Sequence, residues 1–373
     1  MAKLETVNLE TAYDPINVFD LEKLAAQKLP TLAFDYFASG ACDERTLAAN
    51  ISAYQEIWLR PKMLVDVSDR HLDTTVLGTN ISAPILVAPM AFQCMADPEG
   101  EIATAKAVAR FGTVMAVSTL SNYSMEEVAA ATDAHLWFQL YVYKDRGITR
   151  DLVQRAEAAG CTALVITVDS PLLGRREKDV RNKFNLPEHL RCGNLANAAG
   201  MQNLPHDSKD SGLAVYIASL YDTSLTWKDL VWLKSITKLP VAVKGILRGD
   251  DAVRAIECGA TAIIVSNHGG RQLDTAVPTI KALPEVVKAV AGQAEVYVDG
   301  GIRRGTDIIK AIAFGARAVL VGRPILWGLA VAGETGALTV LDMLRGELDL
   351  AMALSGCRTI GDITADLLCI EKS

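Results

Sequence analysis

From residue 85 onwards, short apolar runs alternate with amphipathic stretches rich in alanine. Eight runs rich in Val, Ile and Leu are apolar on both faces, which is typical of parallel strands covered by helices. The runs are Ile85–Ala88, Thr113–Ser118, Leu136–Val142, Thr162–Val168, Pro240–Lys244, Thr261–Ser266, Glu295–Asp299 and Arg317–Val321. The predicted helices are Glu99–Arg110, Ser124–Ala131, Thr149–Ala159, Trp227–Ser235, Asp250–Cys258, Thr279–Ala291, Gly305–Phe314 and a longer one after Pro324. Eight strand–helix units in series predict an α/β fold, a single (β/α)8 TIM barrel spanning residues 1–373.

Two regions lie outside this repeat. Residues 1–84 are predicted to form an N-terminal helical extension, because turn and capping residues there bound short helical segments. These segments are Leu21–Gln27 capped by Asp20, Thr31–Ala38 after Pro30, and a third running from a cap at Asp43 to about Tyr54. Residues 169–226, after the fourth run, show no sustained period. A long irregular segment in a compact domain is typical of an active-site lid, and a surface insertion is the alternative.

Composition narrows the classes of function. The 373 residues are 50% hydrophobic and 22% charged, as in ordinary globular proteins. The net charge of −7 argues against nucleic acid as a partner. Seven cysteines without a C-x-x-C pair suggest reduced thiols rather than disulfides or a zinc site, so no metal is expected. The chain lacks a signal-peptide pattern and an uncharged apolar run of about 18 residues, so we expect a cytoplasmic protein without a membrane partner.

Polar residues collect at the carboxyl ends of the predicted strands, where barrels of this class carry their active sites. They include His, Asp, Lys, Arg and Tyr, which a chance distribution would scatter over the helix surfaces. They occur in Ala88-Pro89-Met90, Ser118-Thr119-Leu120, Gln139 with Tyr141, Thr167-Val168-Asp169, Lys244, Ser266 to Arg271, Asp299-Gly300-Gly301 and Gly322-Arg323. The sequence therefore predicts one active site at this end of the barrel.

His268 is the one histidine at a predicted strand end, and glycines follow it. This position favours a general base over a structural histidine. Asp169 could stabilise the imidazolium, or it could serve only as a turn residue before Pro171. Lys244 at a strand end allows two interpretations. It could form a Schiff base with a carbonyl substrate, or its charge could stabilise an anionic cofactor.

Glycine turns with arginines follow the last two predicted strands, in Asp299-Gly300-Gly301 with Arg303 and in Gly322-Arg323. Barrels often bind a phosphate there, although the glycines could serve only the tight turns. Arg271 and one of the pair Arg175 and Arg176 could hold a substrate carboxylate, and Arg175 alone is better explained as a solvated charge. No G-x-G-x-x-G after a strand, Walker A, H-E-x-x-H or G-x-S-x-G motif is present. These residues predict a phosphate-bearing ligand, an anionic substrate and a histidine base. A Schiff-base lyase and a barrel that binds a phosphorylated regulator remain alternatives.

The run Ser266-Asn267-His268-Gly269-Gly270-Arg271-Gln272-Leu273-Asp274 resembles the active-site signature of the FMN-dependent L-2-hydroxy acid oxidases. This family includes glycolate oxidase, lactate oxidase and flavocytochrome lactate dehydrogenases. The resemblance covers nearly the whole chain, including Asp35-Tyr36-Phe37-Ala38-Ser39-Gly40, Phe138-Gln139-Leu140-Tyr141-Val142-Tyr143, Leu173-Gly174-Arg175-Arg176-Glu177 and Val243-Lys244-Gly245. It implies FMN as the cofactor, a small L-2-hydroxy acid and O2 as partners, and a homo-oligomer, a tetramer or an octamer.

The resemblance also implies a role for each matching residue. His268 would be the base and Asp169 its support, with Arg271, Arg176 and Tyr36 on the substrate carboxylate and Tyr141 on a substrate oxygen. Lys244 would stabilise negative charge on the reduced flavin. The flavin and ribityl contacts would be Pro89, Met90, Ala91, Ser118, Gln139, Thr167 and Ser266. The ribityl hydroxyls and the phosphate would be held by Asp299, Gly300, Gly301, Arg303, Gly322 and Arg323.

Two positions depart from the glycolate-oxidase pattern, which has Trp where this chain has Leu120 and Thr where it has Met90. A smaller apolar side chain at Leu120 leaves room for a methyl group, and Met90 offers a flexible apolar wall. This pair resembles the lactate-oxidase pattern, so we expect L-lactate to be oxidised to pyruvate with O2 reduced to hydrogen peroxide. Glycolate oxidation to glyoxylate, or transfer of electrons to another acceptor as in an L-lactate dehydrogenase, is the alternative.

Overall fold

A computed structural model describes residues 14–195 and 221–370 of the chain. Twelve strands are described, and eight of them, β4 to β11, form a closed parallel barrel in the order β10-β11-β4-β5-β6-β7-β8-β9. The barrel strands are β4 (Ile85–Val87), β5 (Val114–Ser118), β6 (His135–Leu140), β7 (Ala163–Thr167), β8 (Val241–Ile246), β9 (Ala262–Val265), β10 (Glu295–Asp299) and β11 (Ala318–Val321). All eight predicted runs are barrel strands, and the TIM-barrel prediction is confirmed.

The barrel is filled by its own inward side chains, which form a core separate from the one beneath the helices. Trp137 and Tyr297 are the large members of this inner core, with ring centroids 5.6 Å apart. Small alanines on the neighbouring strands make room for these two rings. The inner core also includes Val76 and Ile81, from a two-stranded hairpin that precedes the barrel. The barrel is therefore packed along its axis, and the site lies at one end.

Twelve helices with α-helical hydrogen bonding are described. Those before the barrel are α1 (Val18–Lys28), α2 (Thr31–Ala38) and α3 (Arg45–Gln55). The others are α4 (Gly100–Phe111), α5 (Met125–Ala130), α6 (Arg146–Ala158), α7 (Glu177–Arg181), α8 (Trp227–Ser235), α9 (Gly249–Glu257), α10 (Thr279–Val290), α11 (Gly305–Ala313) and α12 (Arg323–Ser355). A helix follows each barrel strand, as the sequence predicts.

The N-terminal region differs from its prediction in two ways. Asn17, not Asp20, caps α1 by accepting a hydrogen bond from the Asp20 backbone N–H at 3.1 Å. Residue Glu44, not Asp43, occupies the N-cap of α3, in a left-handed conformation with φ 59° and without a side-chain cap. Three short strands also follow α3, namely β1 (Ile57–Leu59), β2 (Thr74–Val76) and β3 (Thr79–Ile81). The strand β1 pairs with β12 (Leu368–Ile370) at the other end of the chain.

The segment after β7, predicted as a lid over residues 169–226, is described as far as residue 195 and again from residue 221. Its described part contains the short helix α7 and a 3-10 turn, Gly193–Leu195. The buried amide of Asn194 donates to the Ser118 carbonyl at 3.0 Å and so fastens this part to the end of β5. The remainder of the predicted lid, residues 196–220, lies outside the described residues. The lid function stays a prediction.

Helix α12 is the one described helix long and apolar enough to cross a membrane by length and composition. Its 18-residue window has a mean hydropathy of 1.4, and 61% of that window is buried inside the protein. The helix is interrupted at Ala332 and Gly333, whose backbone angles are not helical. It packs along α1, α4 and α11 as a core helix of the outer layer.

Candidate active site

The carboxyl ends of the barrel strands surround one open cavity of about 1230 Å³. The predicted site residues that line it are Tyr36, Pro89, Met90, Ala91, Ser118, Leu120, Gln139, Tyr141, Thr167, Arg176, Lys244, His268, Arg271, Asp299, Gly300, Gly301, Arg303, Gly322 and Arg323. Asp169 and Ser266 lie behind this lining and bond to residues within it. The structure thus brings the predicted set together.

His268 and Asp169 form a hydrogen-bonded pair at the rim. Asp169 lies two residues after the end of β7, and its Oδ1 is 2.8 Å from the Nδ1 of His268. The backbone of His268 is left-handed, with φ 58°, in the turn after β9. A carboxylate only accepts hydrogen bonds, so this contact assigns the proton to Nδ1 of the imidazole. Nε2 is then the ring nitrogen that can accept a proton from a ligand.

Gly245 makes the close approach of Asp169 possible. Its backbone is left-handed, with φ 112°, and a Cβ there would lie 2.7 Å from the Cβ of Asp169. The β8–β9 register shifts at this same point, between Lys244 and Ile246. A glycine is therefore required beside the acid, and the irregularity in β8 sets the depth of Asp169 beneath His268.

The charges around this pair keep the base neutral and the acid ionised. Burial lowers the pKa of His268 below its usual value, and the nearby cations Lys244 and Arg176 lower it further, against the opposing effect of Asp169. Burial alone would raise the pKa of Asp169, but His268 and Lys244 lower it below the usual range. At neutral pH the imidazole is therefore ready to take a proton, and the carboxylate is ready to stabilise the cation that results.

Lys244 lies at the floor of the cavity in a buried ion pair. Its Nζ is 3.1 Å from Asp299 Oδ2 and donates to Ser266 Oγ at 2.9 Å. Burial would lower the pKa of Lys244, but Asp299 and Asp169 outweigh it and raise the pKa above the usual value. Schiff-base chemistry needs a neutral amine. The geometry therefore supports a fixed cation and argues against the lyase interpretation.

A polar ridge of amide and hydroxyl groups crosses three neighbouring strands. The side-chain oxygen of Gln139 accepts from Ser118 Oγ at 3.3 Å and from the Thr119 N–H at 3.2 Å. Its side-chain nitrogen donates to Thr167 Oγ1 at 3.0 Å. The parallel register places Ser118 opposite Gln139 and Thr167 opposite Lys244. This ridge presents both donors and acceptors to a planar polar ligand.

Two arginines lie near Tyr36 at the mouth of the cavity. Arg271 donates from Nη1 to the carbonyls of Tyr36 at 2.5 Å and Ser39 at 3.1 Å. Its guanidinium carbon is 4.9 Å from the centre of the Tyr36 ring. Burial and the neighbouring Arg176 lower the pKa of Arg271 to about 10. The nearest described carboxylate to Arg176 is Asp179, with Nη1 and Oδ2 3.9 Å apart. A carboxylate ligand would relieve the repulsion between the two cations.

Two further arginines, Arg303 and Arg323, lie beyond the ends of β10 and β11. Arg323 donates to the carbonyls of Phe37, Gly269 and Ser39 at 2.8 to 3.0 Å. Burial and the nearby Arg271 and Arg303 hold its pKa well below the usual value. Arg303 is buried, and its Nε has no hydrogen-bond partner among the described residues. Among the described residues, the hydrogen-bond acceptors of both guanidiniums are backbone carbonyls rather than carboxylates, so a bound anion would stabilise both charges.

Close packing, and not only ligand binding, can explain the glycines after β10. Gly300 and Gly301 have φ angles of 91° and 84°, and a Cβ at Gly301 would lie 2.0 Å from the Asn50 carbonyl oxygen. The close packing of α3 therefore requires Gly301 whether or not a ligand is bound. The case for a phosphate rests on the arginines rather than on these glycines.

Several residues that line the cavity were missing from the sequence prediction, among them Phe37, Ser170, Leu173, Tyr221 and Gln272. Ser170 lies beside the acid, with its Oγ 3.0 Å from Asp169 Oδ1 and 3.4 Å from His268 Nδ1. Its position next to Asp169 could have identified it. Tyr221 stacks on Tyr141, with ring centroids 4.4 Å apart. It follows an aperiodic stretch, and no sequence signal marks it.

Comparison with known proteins agrees with this geometry. The model of the FMN-dependent dehydrogenase family matches residues 25–370. The chain belongs to this family. It is 56% identical to an L-lactate oxidase from Nostoc sp. strain PCC 7120, over 95% of this chain and 98% of that protein. It is 53% identical to a glycolate oxidase from Oryza sativa subsp. indica, over 93% of this chain and 94% of the relative.

A solved structure shares the fold. The crystal structure of a mandelate oxidase with (S)-4-hydroxymandelic acid is 43% identical in sequence, with a TM-score of 0.89. The alignment covers 95% of this chain and 98% of that one. Family and fold together establish an FMN-dependent 2-hydroxy acid oxidase type of protein.

The residues that line the cavity also fit FMN, independently of the family match. Arg303 Nε and Asp299 Oδ1 are buried without hydrogen-bond partners among the described residues. A phosphate would supply the anion that Arg303 and Arg323 lack, and hydroxyl groups would supply a donor to Asp299. The Gln139 ridge and Lys244 would hold a planar, partly anionic ring system. These residues could hold the cofactor.

Proposed function

We propose that this protein oxidises L-2-hydroxy acids to 2-oxo acids, with L-lactate as its preferred substrate and hydrogen peroxide as the second product. The observation that carries this proposal is the hydrogen bond between His268 and Asp169, because His268 lines the same cavity as the paired arginines and the buried Lys244. A base, a carboxylate-binding cluster and a cation for an anionic cofactor are the three elements that the oxidation of a hydroxy acid requires.

Arg271 and Arg176 would hold the substrate carboxylate, and the Tyr36 ring packs against the first of these guanidiniums. Tyr141 lines the same wall and would bond to a substrate oxygen. Burial raises the pKa of Tyr141 well above neutrality, so its hydroxyl stays protonated and can donate. This arrangement fixes the α-carbon relative to the base.

His268 takes one proton from the substrate at Nε2, either from the α-hydroxyl or from the α-carbon. Asp169 then balances the imidazolium across the 2.8 Å contact. When bound, FMN supplies the acceptor for the two electrons that leave the α-carbon. The hydroxy acid loses two hydrogens in total, and the 2-oxo acid remains. Dioxygen takes up two electrons and two protons to give hydrogen peroxide.

The acceptor is tested by assaying peroxide across a panel of L-2-hydroxy acids under air. We expect yellow protein that releases FMN on denaturation and forms one peroxide for each L-lactate oxidised. Oxidation of L-lactate by an artificial dye without peroxide would show a dehydrogenase instead. Colourless protein that cannot be reconstituted with FMN would overturn the proposal.

The preference for L-lactate over glycolate is supported by Leu120 and Met90, both in the cavity wall. Leu120 is half-buried and Met90 is 8% exposed. Their apolar surfaces would contact the methyl group that distinguishes lactate from glycolate. Burying one methyl is worth about 1 kcal/mol, so we expect a preference of about tenfold, with glycolate activity remaining. A higher kcat/KM for glycolate than for L-lactate would overturn this assignment.

We also propose that the protein is cytoplasmic and forms a homo-oligomer, a tetramer or an octamer. The support for the oligomer is the family resemblance, since members of this family usually assemble. Size-exclusion chromatography with light scattering tests this directly. A monomer at micromolar concentration would contradict it.

A further inference from the structure

Glu101 is a completely buried carboxylate outside the residues assigned to catalysis or cofactor binding. It lies in the first turn of α4 and is 0% exposed. Its Oε1 accepts the backbone N–H groups of Gln93 and Asn122, each at 3.1 Å. Its Oε2 accepts the N–H of Tyr123 at 3.5 Å. One side chain thus bonds to two separate loops.

These two loops carry the apolar wall of the substrate pocket. Gln93 is three residues after Met90, in the loop that follows β4. Asn122 is two residues after Leu120, in the loop that follows β5. The loops also bond to each other, since the Phe92 N–H donates to the Leu120 carbonyl at 3.2 Å. Glu101 therefore lies beneath the junction from which Met90 and Leu120 extend.

The start of α4 is shaped to bring Glu101 to this junction. Gly100 has a left-handed backbone with φ 43°, and a Cβ there would lie 2.6 Å from Cys94 Sγ. Only glycine at position 100 allows the turn after β4 to pack this closely against the first turn of α4. The Cys94 N–H in turn donates to the Asn122 side-chain oxygen at 2.9 Å. Helix, first loop and second loop form one hydrogen-bonded unit.

A carboxylate suits this position because it accepts hydrogen bonds in several directions and donates none. Burial raises the pKa of Glu101 to about 7, against the lowering effect of four backbone N–H groups, which include its own. Its charge is therefore costly to bury at neutral pH, and an apolar side chain would cost less. The carboxylate is explained by the two loops, because three of their backbone N–H groups point at this position and need an acceptor.

We propose that Glu101 is a positioning residue that fixes Met90 relative to Leu120 and thereby sets the discrimination between substrates that differ by one methyl group. This inference rests on the proposed function, because the substrate pair is L-lactate and glycolate. Glu101 acts through the two loops and does not touch the substrate.

The test compares Glu101→Gln with the matched control Glu157→Gln. The amide keeps the size of Glu101, but its NH2 group cannot accept a hydrogen bond. In one orientation this group faces the Tyr123 N–H, and in the other it faces the N–H groups of Gln93 and Asn122, so the loop after β5 loses at least one bond in either case. Glu157 is also a helix carboxylate that accepts a backbone N–H, from Lys238 at 2.8 Å. It lies near the amino end of β8, at the opposite end of the barrel from the cavity.

Two ratios are measured on FMN-loaded protein. The first is kcat/KM for L-lactate over that for glycolate. The second is the ratio of Kd values for pyruvate and glyoxylate, obtained by titrating the flavin absorption without turnover. For Glu101→Gln we expect both preferences to shrink about three- to tenfold, mainly through KM, because the methyl contact is worth about tenfold at most. For Glu157→Gln we expect unchanged ratios.

In a Leu120→Ala background, Glu101→Gln should have little further effect on either ratio, because the wall that it positions is gone. Unchanged ratios in Glu101→Gln, or equal changes in Glu157→Gln, would overturn the proposal. Wild-type protein that oxidises neither acid would overturn the proposed function instead. The oxo-acid titration would then still decide the role of Glu101.

Discussion

Replacing Lys244 by Met tests the central electrostatic feature of the site. Methionine keeps most of the length of the side chain, one atom less than lysine, and removes its charge. In the structure this charge lies 3.1 Å from Asp299, and the two side chains are only 5% and 9% exposed. The substitution therefore leaves a buried carboxylate without its cation. Breaking one side of a buried pair costs about 3–5 kcal/mol of folding stability.

The same change should weaken FMN binding. A hydrogen bond to a charged group is worth about 1.5–3 kcal/mol, which corresponds to about ten- to a hundredfold in Kd. Apoprotein titrated with FMN gives the affinity, and chemical unfolding of the apoprotein gives the stability. Adding Asp299→Asn to Lys244→Met should recover part of the stability but not the affinity, because the cation is still missing.

A control for this experiment is Lys106→Met. Lys106 pairs with Glu99 near the surface, where the two side chains are 37% and 59% exposed, so we expect little change in stability or FMN affinity. Lys244→Met with the FMN affinity and flavin midpoint potential of the wild type would refute the role assigned to Lys244. Equal losses of folding stability in the double and single variants would refute the broken ion pair as the cause of the destabilisation.

Three other outcomes follow from the site. His268→Gln should keep FMN bound and slow anaerobic flavin reduction by several powers of ten, and near-normal reduction would contradict its role as base. Burial lowers the pKa of His268 below its usual value of 6.5, and the base must be neutral to accept a proton. We therefore expect kcat/KM for L-lactate to fall at acid pH with a midpoint below 6.5. A midpoint above 6.5 would contradict the assignment. Leu120→Trp should lower the ratio of kcat/KM for L-lactate to that for glycolate about tenfold. An unchanged ratio would show that Leu120 does not contact the methyl group of lactate.

The barrel could be predicted from sequence because its signal is local. Each strand is buried on both faces, so each appears as an apolar run bounded by polar residues. The predicted run Glu295–Asp299 coincides with β10, and the other seven overlap their strands. The β1–β12 pair had no such signal. It joins residues such as Ile57 and Ile370 from opposite ends of the chain, in strands of three residues each.

The site could be predicted because the topology of a parallel barrel sends all strand ends to one rim. The sequence positions of His268, Asp169 and Lys244 at strand ends therefore predict that these residues lie together. The contribution of loops is different. Tyr221 reaches the cavity from a segment without period, and its stacking on Tyr141 depends on tertiary packing alone. The same holds for Glu101, whose role depends on which two loops meet above α4.

The charges of the site explain why it needs two anions. Arg176 and Arg271 lie at Tyr36, and Arg303 and Arg323 lie after β10 and β11. Burial lowers the pKa of Arg271, Arg303 and Arg323, and repulsion from neighbouring arginines lowers it further at Arg271 and Arg323. Among the described residues, Asp179 at 3.9 Å from Arg176 is the one carboxylate in ion-pair range of any of the four. A protein that binds an anion only when folded is stabilised by that binding. A phosphate at one arginine pair and a substrate carboxylate at the other would each reduce the repulsion within that pair. The arrangement is therefore poor for the stability of the apoprotein and well suited to holding a phosphorylated cofactor beside an organic acid.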